Sequence, residues 1–134
     1  VHVSLACPPG YQPKSAIVER ALPDARRRHV KVEVFDRPED AVKGADAIYT
    51  DVWTSMGQEQ EKQERLKAFH GYMVTPELMR LASPACVFMH CLPAHRGEEV
   101  QAEVADSPRS VIFDQAENRL HAQKAIMVEL MGQR

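Results

Sequence analysis

Short apolar runs alternate with charged, amphipathic stretches along the whole chain. His2-Val3-Ser4-Leu5-Ala6-Cys7 leans apolar and is closed by Pro8-Pro9-Gly10, a strand followed by a turn. Residues 13–29 read as a helix with Ile17, Val18, Ala21 and Leu22 on one face, which Pro23 should break or kink. Val30-Lys31-Val32-Glu33-Val34-Phe35 alternates with period two and is the clearest strand. Asp36-Arg37-Pro38-Glu39 opens a short helix, with proline in the first turn and acids complementing the dipole.

The next apolar run, 45–52, leads into Asp51-Val52-Trp53-Thr54-Ser55-Met56-Gly57. A charged helix is expected over 58–69, apolar only near Leu66, Ala68 and Phe69. Another, opened by Thr75-Pro76-Glu77, should reach about Ala82. A strand over 85–91, a short helix over 98–105, a strand over 110–113 and a final helix over 117–131 complete the pattern, with Asp114 and Glu117 resembling a capping box. Strands and helices alternate with no hairpin signal, so the expected fold is α/β. It is a Rossmann-like three-layer domain over residues 1–134, with a mostly parallel sheet of about five strands and helices on both faces.

In such sheets ligands sit beyond the carboxyl ends of the strands. Two of those ends carry chemistry here. At the first, Asp51 can hold an ammonium group while Ser55, Met56 and Gly57 offer a hydroxyl and backbone amides; the same residues also read as an ordinary helix-capping cluster. Trp53 reads as packing. At the second, His90-Cys91-Leu92-Pro93-Ala94-His95-Arg96-Gly97 places a thiol, two imidazoles and a guanidinium in one turn. His90 and Cys91 are neighbours on a strand and point to opposite faces, so a metal site built from His90, Cys91 and His95 is not expected. Cys91, last on its strand, can meet solvent and substrate, although a cysteine in a strand is commonly a buried structural thiol. Arg119, placed in the first turn of the final helix, gains nothing from the dipole there; it suits an external anion, or is simply solvated.

Composition narrows the classes. With 134 residues, 44% hydrophobic and 27% charged, the chain can bury a core of its own. A formal charge of −2, with both signs interspersed, provides no field for nucleic acid or anionic membrane. No apolar run approaches the roughly 18 to 20 residues that cross a bilayer, and the start lacks a signal-peptide pattern, so a cytoplasmic location is expected. The three cysteines, Cys7, Cys86 and Cys91, form no CxxC pair and suit free thiols. No serine sits in a nucleophile elbow, and there is neither GxGxxG nor GxxxxGK[ST], so hydrolase-triad and nucleotide-binding readings fail. The opening at Val1, directly into an apolar run, reads as a cut inside a longer protein.

Taken in order, Asp51-Val52-Trp53-Thr54-Ser55-Met56-Gly57, His90-Cys91-Leu92-Pro93, Ser107-Pro108-Arg109-Ser110 and Glu117-Asn118-Arg119 resemble the ornithine carbamoyltransferases. The resemblance covers essentially the whole chain and matches the carboxyl-terminal, ornithine-binding half. Aspartate-using relatives have a proline where Cys91 stands. The resemblance implies transfer of the carbamoyl group of carbamoyl phosphate to the side-chain amine of L-ornithine, giving citrulline and phosphate, with no cofactor and no metal. By the same resemblance, Asp51, Ser55 and the Met56 backbone hold the α-amino end of ornithine, and Cys91 is the proton acceptor beside its side-chain amine. The Leu92 backbone contacts the carbamoyl group, Arg119 reaches carbamoyl phosphate, and Leu92-Pro93 is a cis bond.

The family's phosphate-binding half carries Ser-Thr-Arg-Thr-Arg and His-Pro-x-Gln, and neither occurs here. The resemblance thus implies a missing amino-terminal partner domain, homotrimers built mainly through that domain, and an isolated chain that is inactive. It also implies that Leu120, Ile126, Met127, Leu130 and Met131, which would pack on the missing half, are partly exposed. Carbamoyltransferases for N-acetylornithine or putrescine, and a stand-alone amino-acid-binding module without catalysis, are the alternatives. No role is assigned to His90, His95 or Arg96.

Overall fold

A computed structural model describes residues 1–54 and 61–132. In order, the elements are β1 (Val3–Ala6), α1 (Ser15–Arg27), β2 (Val32–Phe35), α2 (Pro38–Ala41), β3 (Ala47–Thr50), α3 (Lys62–Ala68), α4 (Pro76–Leu81), β4 (Val87–His90), α5 (Ala102–Ala105) and α6 (Ile112–Met131). The expected alternation is therefore present, and both strand pairs are parallel. The pairing is less extensive than the single sheet of about five strands read from the sequence: β1 pairs with β2 and β3 with β4, in two separate ladders.

The fifth strand is reduced to one bridge, between Phe88 and Ser110. Phe88 donates to the Arg109 carbonyl at 2.8 Å and accepts from the Val111 amide at 2.9 Å, and the chain then turns at once into α6 at Ile112. The apolar run Val111-Ile112-Phe113 thus becomes a helix start. Asp114 falls inside the first turn, not at the cap, because the N-cap is Val111. Arg119 consequently lies beyond the first turn, and the argument that the helix dipole opposes it there no longer holds.

Local chemistry sets the other boundaries. Helix α1 runs through Pro23, which forgoes the bond to the Glu19 carbonyl, and only Ala25 on it is buried. It ends in a Schellman turn: His29, at φ 53°, donates to the Arg26 carbonyl, and Val30 donates to that of Ala25. Helix α4 starts as expected, with Pro76 in its first turn and Thr75 Oγ1 accepting the Leu78 amide at 3.2 Å.

The core gathers around β4. Phe88, Cys86 and Val100 are fully buried and pack with Met79, Val74, Val104 and Ile112. Residues 98–100, expected as the start of a helix, form a turn and one bridge instead. The Val74 amide donates to the Glu99 carbonyl at 2.9 Å and the Gln101 amide to that of Val74 at 3.0 Å, so Val100 bridges Val74 and α5 begins only at Ala102. Glu99, in the turn just before that bridge, is fully buried.

Candidate active site at the ends of β3 and β4

Parallel pairing of β3 with β4 sets Ile48 against Phe88, Tyr49 against Met89 and Thr50 against His90. Ile48 and Phe88 fill the core, and alternation then sends Tyr49, Met89 and, one step further on, Asp51 and Cys91 to the other face. The outcome is a direct contact: the Cys91 thiol donates to Asp51 Oδ1 at 3.0 Å. Asp51 Oδ1 also accepts the Val52 amide at 2.7 Å, which fixes the carboxylate at the strand end. Burial, followed by the Asp51 carboxylate, pushes the Cys91 thiol above its ordinary range, while the Tyr49 hydroxyl acts the other way.

His90, on the opposite face, is fully buried with Glu99. Its Nδ1 accepts the Leu92 amide at 2.8 Å, which leaves Nε2 to carry the ring proton. Nε2 stands 3.2 Å from Glu99 Oε1, close but too poorly aligned to make a good hydrogen bond. Glu99 Oε1 also accepts the His95 amide at 2.5 Å. The buried carboxylate therefore ties the His95 end of the turn and lies against the His90 ring at its start. Leu92 is held at φ 57°, and the Leu92–Pro93 bond is cis. Gly97, at φ 90°, completes the turn by donating to the Val100 carbonyl at 2.8 Å.

A cavity of about 600 Å³ opens over this turn, lined by Cys91, Leu92, Pro93, Arg96, Phe113 and Arg119. The structure thus brings Cys91, Leu92 and Arg119 to one cavity, with Asp51 in contact with Cys91. Arg96 is held by Asp106 through two hydrogen bonds, of 2.6 and 3.2 Å. Asp51 also borders a larger cavity of about 920 Å³ between β1 and β3, whose lining includes Trp53, Arg65, Phe69 and Tyr72. Trp53 stacks on Phe69 with ring centroids 5.6 Å apart, consistent with a packing role. Ser55 and Met56 lie outside the described residues.

His95, Glu98 and Glu99 bring donor atoms within 4.8 Å of one another. However, Glu98 is engaged by Lys62 at 3.0 Å and Glu99 by the His95 amide, and we assign no metal to them.

Two strand ends carrying a carboxylate and a thiol, with a cis-proline turn and an arginine on one cavity, can be compared with known proteins. The profile of the aspartate/ornithine carbamoyltransferase Asp/Orn-binding domain matches residues 1–130. The chain belongs to this family. Ornithine carbamoyltransferase of Symbiobacterium thermophilum is 62% identical over 132 residues, 98% of this chain and 43% of that protein. The solved structure of the Pyrococcus furiosus ornithine carbamoyltransferase superposes with a TM-score of 0.89 at 52% identity, covering 96% of this chain and 41% of that one. An N-acetyl-L-ornithine transcarbamylase, at 34% identity and a TM-score of 0.82, shares the fold over 98% of this chain and 40% of its own. This carbamoyltransferase-family chain therefore spans about two fifths of the relatives it matches.

Sequence reasoning did not single out Glu99 or Tyr49. Glu99 sits in an acidic pair that looks solvated. Tyr49 was legible only as the residue two before Asp51, hence on the same strand face.

Proposed function

We propose that the chain is the ornithine-binding half of an ornithine carbamoyltransferase and that residues 1–134 act as one substrate-binding domain. The observation carrying this reading is the 3.0 Å contact between Cys91 and Asp51 beside a cavity that Leu92 and Arg119 also line. The 62% identity to the Symbiobacterium thermophilum ornithine enzyme, against 34% to the N-acetylornithine relative, supports L-ornithine over the acylated amine.

An alkyl ammonium, with a pKa of about 10.4, cannot attack until it loses a proton. In this reading Asp51 and Ser55, with the Met56 backbone, hold the α-amino end, and Cys91, having first lost its own proton, accepts the side-chain proton as a thiolate. The freed nitrogen attacks the carbamoyl carbon. A C–N bond forms, the bond from carbon to the bridging phosphate oxygen breaks, and its electron pair departs with phosphate. Negative charge grows on the carbamoyl and phosphate oxygens, which in this reading Arg119 and the Leu92 backbone meet. Carbamoyl phosphate also needs the amino-terminal domain, which in this reading supplies the trimer contacts and closes over both substrates, so the chain alone is inactive. The complete enzyme would be a cytoplasmic homotrimer of arginine metabolism, working without cofactor or metal.

The test is citrulline-type product formation by the intact protein containing this chain, given carbamoyl phosphate with L-ornithine, N-acetylornithine, putrescine or aspartate in parallel. Preference for L-ornithine is expected. Preference for another amine would overturn the substrate assignment, and no turnover with any of them would favour a binding module.

A further inference from the structure

Two rows of backbone groups face each other across the larger cavity. The Val3 amide donates to the Lys31 carbonyl at 2.9 Å and the Cys7 amide to that of Phe35 at 3.1 Å, so the odd-numbered residues of β1 bond to β2. In a parallel ladder the alternate residues point the other way, which leaves the amides and carbonyls of Ser4 and Ala6 on the far side of β1. On β3 the Asp46 carbonyl accepts the Val87 amide at 3.1 Å, which commits the even-numbered residues to β4 and leaves Ala47 and Tyr49 facing away. Among the described residues none of these four has a backbone partner. The cavity of about 920 Å³ is lined by residues 4–7 and 47–50 without a break. A space over one face of a strand would meet alternate residues only, so this one runs along the two edges.

Neither edge carries the usual protection. Strands β1 and β3 contain no charge and no proline, whereas the outer strand β2 contains Glu33 and follows Lys31. The carboxyl ends also gather on one side. Tyr11, after β1, and Trp53, after β3, pack on Phe69 with ring centroids 5.0 and 5.6 Å away. Tyr72, 5.9 Å from the same ring, donates its hydroxyl to the Asp36 carbonyl after β2. Strands β1, β2 and β3 therefore run in the same direction.

We propose that the gap between β1 and β3 is filled, in the intact protein, by a parallel strand from the segment that precedes Val1. The chain spans about two fifths of the relatives it matches, so the larger part of such a protein lies outside residues 1–134. Consecutive strands of a parallel sheet are usually neighbours joined by a crossover. The first element, β1, borders the gap, whereas α6 leaves from β4, which is separated from the gap by β3. A strand there would donate to and accept from Ser4 and Ala6 on one side and Ala47 and Tyr49 on the other, joining the two ladders into one sheet. The order becomes β2, β1, inserted strand, β3, β4, and the direction of connection reverses at the inserted strand, where open parallel sheets bind ligands. Its carboxyl end opens beside Asp51, which borders the cavity, so this side of the candidate site is incomplete without it. The inference goes beyond the functional reading and does not depend on which amine the intact protein uses.

The experiment is residue-resolved hydrogen exchange in the intact protein containing this chain. The amides of Ser4, Ala6, Ala47 and Tyr49 should exchange within about tenfold of the rates of Leu5 and Ile48, which are bonded in the existing ladders. Fast exchange at the four, beside slow exchange at Leu5 and Ile48, would overturn the proposal. Direct pairing of β1 with β3 would protect the same amides, so the second measurement is photo-crosslinking of the intact protein with p-benzoylphenylalanine in place of Tyr49, or of the exposed Ala47 if the first variant folds poorly. A cross-linked peptide from the segment preceding Val1 is expected. Cross-links confined to residues 1–134, or made to a segment beyond Arg134, would overturn the proposal. Neither measurement needs substrate, so a missing strand and a missing carbamoyl transfer are separate results.

Discussion

At the scale of single residues, the free chain keeps the Cys91 thiol protonated, so the acceptor role proposed for it begins only once that proton has left. Burial and the Asp51 carboxylate raise Cys91, and burial raises Cys7 and Cys86 as well. The folded chain therefore holds thiol protons that the unfolded chain releases near the ordinary value of 9.0. Stability from these groups is fully present below that value and is lost as pH rises through the higher folded values. Urea unfolding at pH 7.5 and pH 10 should accordingly give a lower midpoint at pH 10, and alanine at all three cysteines should shrink the difference. Glu99 makes a separate case. Glu99→Ala would leave the His95 amide without its acceptor and remove the carboxylate packed against the buried His90 ring, at a cost of about 2 kcal/mol in denaturant unfolding. A change below a few tenths would mean that water replaces the carboxylate.

At the scale of elements, the turn after β4 is shaped by backbone conformations more than by packing. Gly97 sits at φ 90°, where a Cβ is disfavoured even though open space surrounds it. Gly97→Ala should therefore cost about 1 to 2 kcal/mol through strain alone, read from the denaturant midpoint. The same scale explains what could be read in advance. Period-two alternation marked β2, and Thr75-Pro76 marked the start of α4, because those signals are local and chemical. The run from Ser110 to Phe113 carried equal strand and helix signals, since short apolar runs do not distinguish the two. Tertiary context decided it: one bridge to Phe88 was made and α6 began. The turn and bridge that replace the expected helix at 98–100 were likewise invisible, because they depend on pairing of Val100 with Val74, 26 positions away in the chain.

At the scale of the whole molecule, parallel pairing converts two distant segments into one site. Asp51 and Cys91 were each legible as strand-end residues, but their contact required the register of β3 on β4, which no local pattern encodes. Helix α6 shows the opposite case. Leu120, Ile126, Met127, Leu130 and Met131 are 52 to 79% exposed, the exposure the resemblance implied. Replacing Leu120, Ile126 and Leu130 by lysine should reduce concentration-dependent light scattering while leaving the urea midpoint nearly unchanged, because these side chains contribute little to the core.

The account stands most directly on the role of Cys91 beside Asp51. The deciding measurement is the kcat of carbamoyl transfer to L-ornithine by the intact protein containing this chain, wild type against Cys91→Ala, at saturating substrates. Loss of a proton acceptor in the transition state predicts a fall of about 100-fold or more. A kcat within twofold of wild type would contradict the account and transfer the proton-accepting role to another group.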